Sequence, residues 1–168
     1  ICVAANIPFP FAPIQITLID LIIEAYPSFC LSFEPDGRRI HGTFLGSVLR
    51  RALPNALAVV CTVMAAYLWT PSLGFTGAQT TLLMYLLVGT VGCMAVCKAC
   101  YPFNALRLFL TCTVTAGYFA AVVLLHGMLD LAALSTVLYT PWAVLAACAL
   151  ILERIFAKCL SHASFKGL

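Results

Sequence analysis

The chain has 168 residues, 63% of them apolar and only 9% charged, with a mean hydropathy of +1.05 and a formal net charge of +3. Ordinary soluble domains are about 45–50% apolar and about 25% charged, so too little polar surface is present to cover a water-facing globule, and a soluble enzyme or a nucleic-acid binder is excluded. At about 20 residues per helical crossing of a ~30 Å hydrocarbon core, the length fits an all-α, polytopic transmembrane helix bundle whose main partner is the lipid bilayer.

Residues 1–5 read as the last turn of a truncated helix, and the stretch to 13, with Pro8, Pro10 and Pro13, as a turn on the outer side. The chain opens on Ile1, with no basic segment leading into an apolar one, so it reads as a piece of a longer protein. Five complete spans follow, at about 14–33, 49–69, 79–99, 105–126 and 131–153, making up a bundle over 14–153. Turn chemistry separates them: Pro35-Asp36-Gly37, then Thr70-Pro71-Ser72-Leu73-Gly74, then Tyr101-Pro102, then His126-Gly127. Without strict alternation, and with every backbone group needing a partner in lipid, the spans are expected to be helices. Nine cysteines fall mostly inside these runs, where a thiol behaves as a small hydrophobe.

Arg38, Arg39, Arg50 and Arg51 follow span one, Lys98 and Arg107 flank the connection after span three, and Arg154, Lys158 and Lys166 follow span five. All nine basic residues thus fall on one side, which the positive-inside rule assigns to the cytoplasm of a multi-pass cell-membrane protein, together with the tail at 154–168. Small residues four apart, Ala116/Ala120, Gly117/Ala121 and Ala143/Ala147, suggest close helix contacts. Trp69 and Tyr67 fit an interfacial belt, and Trp142 fits packing.

Of six acids, Glu34, Asp36, Asp130 and Glu153 are explained as loop or interface groups. Asp20 and Glu24 are not. Both lie within span one, where an ionised carboxylate costs about 2.5–3.5 kcal/mol even on the mild insertion scale. Four residues apart, they share a helical face with Cβ atoms about 5–6 Å apart. Two like charges so close call for a bound metal ion, a bound proton, or each in turn. Pro27 has no N–H and leaves the Ile23 carbonyl without its helical donor, placing a third oxygen beside the carboxylates. Such oxygen ligands suit Ca²⁺, Mg²⁺ or Mn²⁺. The candidate metal ligands are therefore Asp20, Glu24 and Ile23, and every Lys and Arg stands at the basic boundary, away from them.

The stretch from Pro13-Ile14-Gln15 through Asp20, Glu24 and Pro27 to Phe33-Glu34-Pro35 closely resembles the sixth membrane helix of P-type cation-transporting ATPases of the calcium-pump kind. The resemblance puts Asp20 on the first ion-ligand position of that helix and Glu24 on the second, and matches Pro8 to the turn before it. It implies that spans one to five are the sixth to tenth helices of a bacterial pump, with Arg50-Arg51-Ala52-Leu53-Pro54 opening the seventh. It also implies that the missing N-terminal helices and cytoplasmic domains, which use ATP and Mg²⁺, are the chain's partners. Glu24 replaces the commoner Asp, one methylene shorter. The eighth helix of two-site calcium pumps supplies an acid, where span three has only Gln79, Thr80, Thr81 and Thr90, so one cation per cycle is expected. Cys93, Cys97 and Cys100, which resemble the thiolate face of the heavy-metal branch, are read as packing, and His41, His126 and His162 as boundary residues. The family's Asp-Lys-Thr-Gly phosphorylation motif does not occur, so the segment alone does not hydrolyse ATP. Two other readings stay open: a free-standing channel or proton-path subunit, and a structural helix-bracing module.

Overall fold

The computed structural model describes residues 10–34 and 44–162, and the statements below concern these. The helix end at 1–5, Pro8, the Pro35-Asp36-Gly37 turn, Arg38, Arg39, His41 and Lys166 lie outside them. All regular structure among the described residues is helical.

Span one is a helical rod of three segments in two registers: α1 (Pro13–Ile19), a π-helical turn (Asp20–Ala25) and α2 (Tyr26–Ser32). Pro13 starts it, where a missing amide costs nothing. The Gln15 side chain reaches back to accept the Ala12 amide at 3.0 Å. The π turn follows from Pro27. A proline ring collides with the carbonyl four residues back, and widening the preceding turn to i→i+5 bonding relieves that collision; the Tyr26 amide accordingly bonds the Leu21 carbonyl.

α3 (Phe44–Trp69) starts at Phe44, where 49 was expected, and carries Pro54 in its interior, so the Arg50–Pro54 stretch lies within the helix and does not open it. A 3₁₀ turn (Thr70–Leu73) ends on Gly74 at φ 71°, a left-handed conformation that glycine adopts without a Cβ penalty. α4 (Gly77–Ala99) opens on a capping box of Thr76 and Gln79. α5 (Ala105–Leu124) is capped by Asn104, whose Oδ1 accepts the Ala105 amide at 2.7 Å. α6 (Tyr139–His162) begins eight residues later than the expected 131 (139 − 131). Pro141 fits only the first turn of a helix, so the apolar stretch before it is non-helical chain closed by a 3₁₀ turn (Thr136–Leu138). Four helical segments are long and apolar enough to cross a membrane: Pro13–Ser32, Ala52–Leu73, Gly77–Ala99 and Ala105–Leu124. α6 is not among them and carries Glu153, Arg154 and Lys158 in its second half.

α4 is the hub. Its run Leu82–Leu87 is buried throughout, with α3, α6, α5 and the span-one rod all packed against the helix. Two glycines set the approach distances. A Cβ on Gly89 would sit 1.9 Å from Cζ of Tyr118, and one on Gly92 would sit 2.9 Å from both Cδ1 and Cγ2 of Ile23. The small pairs expected to make helix contacts do not: Ala116, Ala120, Ala143 and Ala147 are exposed, and a Cβ on Gly117 would meet nothing within 4 Å. Close packing selects glycine at the hub, where bulky Tyr118 and Ile23 need the space, whereas alanines on the outer faces are apolar lining.

Candidate functional site

The span-one rod has two contrasting faces. Gln15, Ile23 and Pro27 are buried, with Leu18, Ile19, Ile22, Cys30 and Leu31 packed beside the core. Thr17, Asp20, Leu21, Glu24, Ser28 and Ser32 are exposed along the other face. In hydrocarbon such a polar stripe is costly unless protein, water or an ion covers it.

The buried face is fixed by a chain of hydrogen bonds that sequence reasoning did not anticipate. Gln15, 3% exposed, donates Nε2–H to the Leu129 carbonyl at 2.7 Å. Tyr85 Oη donates to the Gln15 carbonyl at 3.0 Å, and Tyr118 Oη to the Tyr85 carbonyl at 2.8 Å. Lower down, Ile23 seats on Gly92, and the hydroxyls of Tyr26 and Thr113 lie 3.2 Å apart. The signal for Gln15 was a polar residue in an apolar run; its partner lies 114 residues away and could not be inferred.

Asp20, Ile23 and Glu24 thus share the π turn but diverge in environment. Ile23 turns its side chain inward onto α4. Glu24 lines a cleft of about 890 Å³ between the rod, α3 and α4, together with Pro27, Ser28, Asn55, Gly92 and Ala95. Asp20 is exposed and is not part of that lining. Neither carboxylate has a hydrogen-bond or ion-pair partner among the described residues. Two carboxylates fall short of the six to eight oxygens that Ca²⁺ takes, and no group of three or more His, Cys, Asp or Glu able to hold a metal occurs among the described residues.

The polar residues of α4 are engaged elsewhere. Gln79 and Thr80 bond within the helix cap, and Thr90 donates to the Leu86 carbonyl while accepting from Trp142 Nε1 at 3.1 Å. Trp142 also meets Phe119 edge-on at 5.8 Å, as a packing residue does. Cys93 and Cys100 are buried and, with Cys97, are free thiols. His126 is exposed, its Nδ1 2.9 Å from the Val123 carbonyl. Trp69 and Tyr67 are half-exposed at the opposite end of α3 from the basic residues.

Two ion pairs lie at the basic end of the bundle. Arg107 Nε donates to Glu34 Oε2 at 2.8 Å, tying the start of α5 to the end of α2. Lys98 Nζ, near the end of α4, is 2.5 Å from Glu153 Oε2 on α6. Glu153, expected as a loop or interface group, lies at that basic end with its side chain only 9% exposed.

Over 112 residues the chain is 38% identical to a probable cation-transporting ATPase, exp7, of Streptococcus pneumoniae serotype 4, an alignment covering 67% of this chain and 14% of that protein. The chain therefore spans about a seventh of the length of the curated relative it matches. No family model matches it, and no solved structure matches it. A multi-pass helical membrane protein similar to part of a cation-transporting ATPase is what geometry and comparison establish together.

Proposed function

We propose that the chain is the membrane, ion-binding part of an ATP-driven P-type pump for a divalent cation, calcium first, with the catalytic domains and further helices supplied outside it. The observation that carries this is the pair of carboxylates, Asp20 and Glu24, without partners among the described residues, on a π turn of a membrane-length helix. Nothing in the described bundle compensates their charge, and a visiting cation does. The similarity to a cation-transporting ATPase supports the same reading from a different direction.

The register change supplies the other ligands. The Tyr26 amide takes the Leu21 carbonyl, five residues back, and Pro27 has no amide to give. Pro27 is the residue whose amide would meet the Ile22 carbonyl in the π register and the Ile23 carbonyl in the α register, so these two carbonyls are the ones this reading assigns to the ion. Asp20 and Glu24 neutralise the ion, the two carbonyls replace part of its water, and the residual oxygens come from water or from helices beyond this chain. A turn already between registers changes its hydrogen bonding at low cost, which suits a site that must hold the ion in one state and release it in another. The basic end faces the cytoplasm, so the rod runs inward, and ATP and Mg²⁺ act in the domains outside.

In the full-length protein, Asp20→Asn with Glu24→Gln removes both charges while keeping size. The expected result is loss of calcium-dependent phosphorylation from ATP. Unchanged calcium dependence in the double variant overturns the ligand assignment. Flux of calcium through liposomes without nucleotide would favour the channel reading.

A further inference from the structure

The outer side of α6 carries a shallow groove of about 280 Å³, floored by Leu150, Ile151 and Ile155, with Arg154 and Lys158 in the same lining. Its level in the membrane is set by the neighbouring Glu153, which pairs with Lys98, one residue before the end of α4. Because α4 is long and apolar enough to cross a membrane, Arg154 stands level with the basic edge of a membrane-length helix. At about 1.5 Å per residue, Leu150 lies roughly 6 Å toward the apolar interior from Arg154, and Lys158 roughly 6 Å beyond it. Val144, Ile151 and Ile155 are exposed along one stripe of α6, which ends at Lys158. Arg154 is charge in excess. Its side chain is 78% exposed, and the one carboxylate near it among the described residues, that of Glu153, is 3.9 Å away and has the Lys98 ammonium closer.

We propose that this groove binds an anionic phospholipid, its phosphate against Arg154 and Lys158 and an acyl chain along Ile151 and Val144. Charge selects the headgroup. Guanidinium and ammonium are donors with no acceptor, a phosphate accepts from both, and arginine holds it bidentately. A headgroup with net negative charge brings no cation of its own, whereas choline or ethanolamine sets a third positive charge beside two. The bare stripe selects a lipid over a soluble anion, because its alkyl groups lie on the membrane side of the cations, where hydrocarbon chains cover them. An acidic segment of a soluble protein would meet the cations without reaching the stripe. The reading is independent of the pump assignment and requires only that the chain sit in a membrane.

The test is native mass spectrometry of the full-length protein, purified in detergent and titrated with phosphatidylglycerol or phosphatidylcholine of identical acyl chains. Retention of the glycerol lipid about tenfold above the choline lipid is expected. Arg154→Gln and Lys158→Gln, both at exposed positions and so no threat to folding, are each expected to cut that preference about threefold and together to erase it. Lys158→Arg, which keeps the charge, is expected to keep the preference. Arg107→Gln removes the same charge from the same end of the bundle without touching the groove, and is expected to leave the preference intact. Soluble glycerol phosphate at the same concentration is expected not to be retained; its retention would move the site from lipid to free anion and overturn the lipid claim. Equal retention of the two lipids by the unaltered protein, an undiminished preference in the double Gln variant, or an equal loss in Arg107→Gln and Arg154→Gln overturns the proposal.

Discussion

Gly92→Ala is the sharpest perturbation of the link between packing and the ion site. The new methyl carbon would lie 2.9 Å from two carbons of Ile23, against about 3.5–4.0 Å for carbon atoms in good contact. The overlap is therefore roughly 0.6–1.1 Å at each carbon. Val91 and Cys93, on either side of Gly92, are buried in the core, so the displacement falls on Ile23 and the π turn that carries it. Overpacking of this kind costs about 1–3 kcal/mol. If most of it falls on the ion-binding geometry, calcium affinity drops on the order of tenfold, since 1.4 kcal/mol is one decade. The assay is the calcium concentration for half-maximal phosphorylation of the full-length protein in Gly92→Ala, Ile23→Ala and the double variant. The two changes should couple by about 1 kcal/mol, because truncating Ile23 clears the space the methyl enters. Additive single effects, or a Gly92→Ala protein with unaltered calcium affinity, would refute the reasoning.

Gly89→Ala should be harsher: its Cβ would fall 1.9 Å from Cζ and 2.3 Å from Oη of fully buried Tyr118, displacing the ring and its bond to Tyr85. A loss of detergent thermal stability of about 2–4 kcal/mol, partly recovered by Tyr118→Ala, is expected from overpacking plus one hydrogen bond. Gly117→Ala, whose new Cβ meets nothing within 4 Å, and Ala120→Leu, at an exposed position of α5, should leave stability within about 0.5 kcal/mol, and a large loss would reinstate the small-residue contact. Arg107→Ala severs a half-buried ion pair to Glu34 and should lower stability by about 1 kcal/mol, with Glu34→Ala in the same protein adding little; additive losses would show that the pair does not interact.

The outline of the bundle was legible because charge and hydropathy act locally. Asp20 and Glu24 stand out in an apolar run whatever the neighbours are, and Pro27 announced a disturbed turn. What the turn does instead depends on what it packs against: Gln15 between Leu129 and Tyr85 pins the rod ahead of the π turn, and Ile23 on Gly92 pins the turn itself. The pairing of Glu153 with Lys98, 55 positions away (153 − 98), was not legible for the same reason. Gly89 and Gly92 were readable in principle, as isolated glycines within an apolar helix mark close approach, but alanine pairs drew attention to the wrong faces. The start of α6 needed only Pro141, which outweighs the apolar residues before it.

Equilibrium binding of radiolabelled calcium to the purified full-length protein, without nucleotide, tests the central claim most directly. The account expects saturable binding that is lost in the Asp20→Asn, Glu24→Gln variant while the protein still folds. Saturable binding of the same stoichiometry and affinity in that variant would place the ion elsewhere and contradict the account.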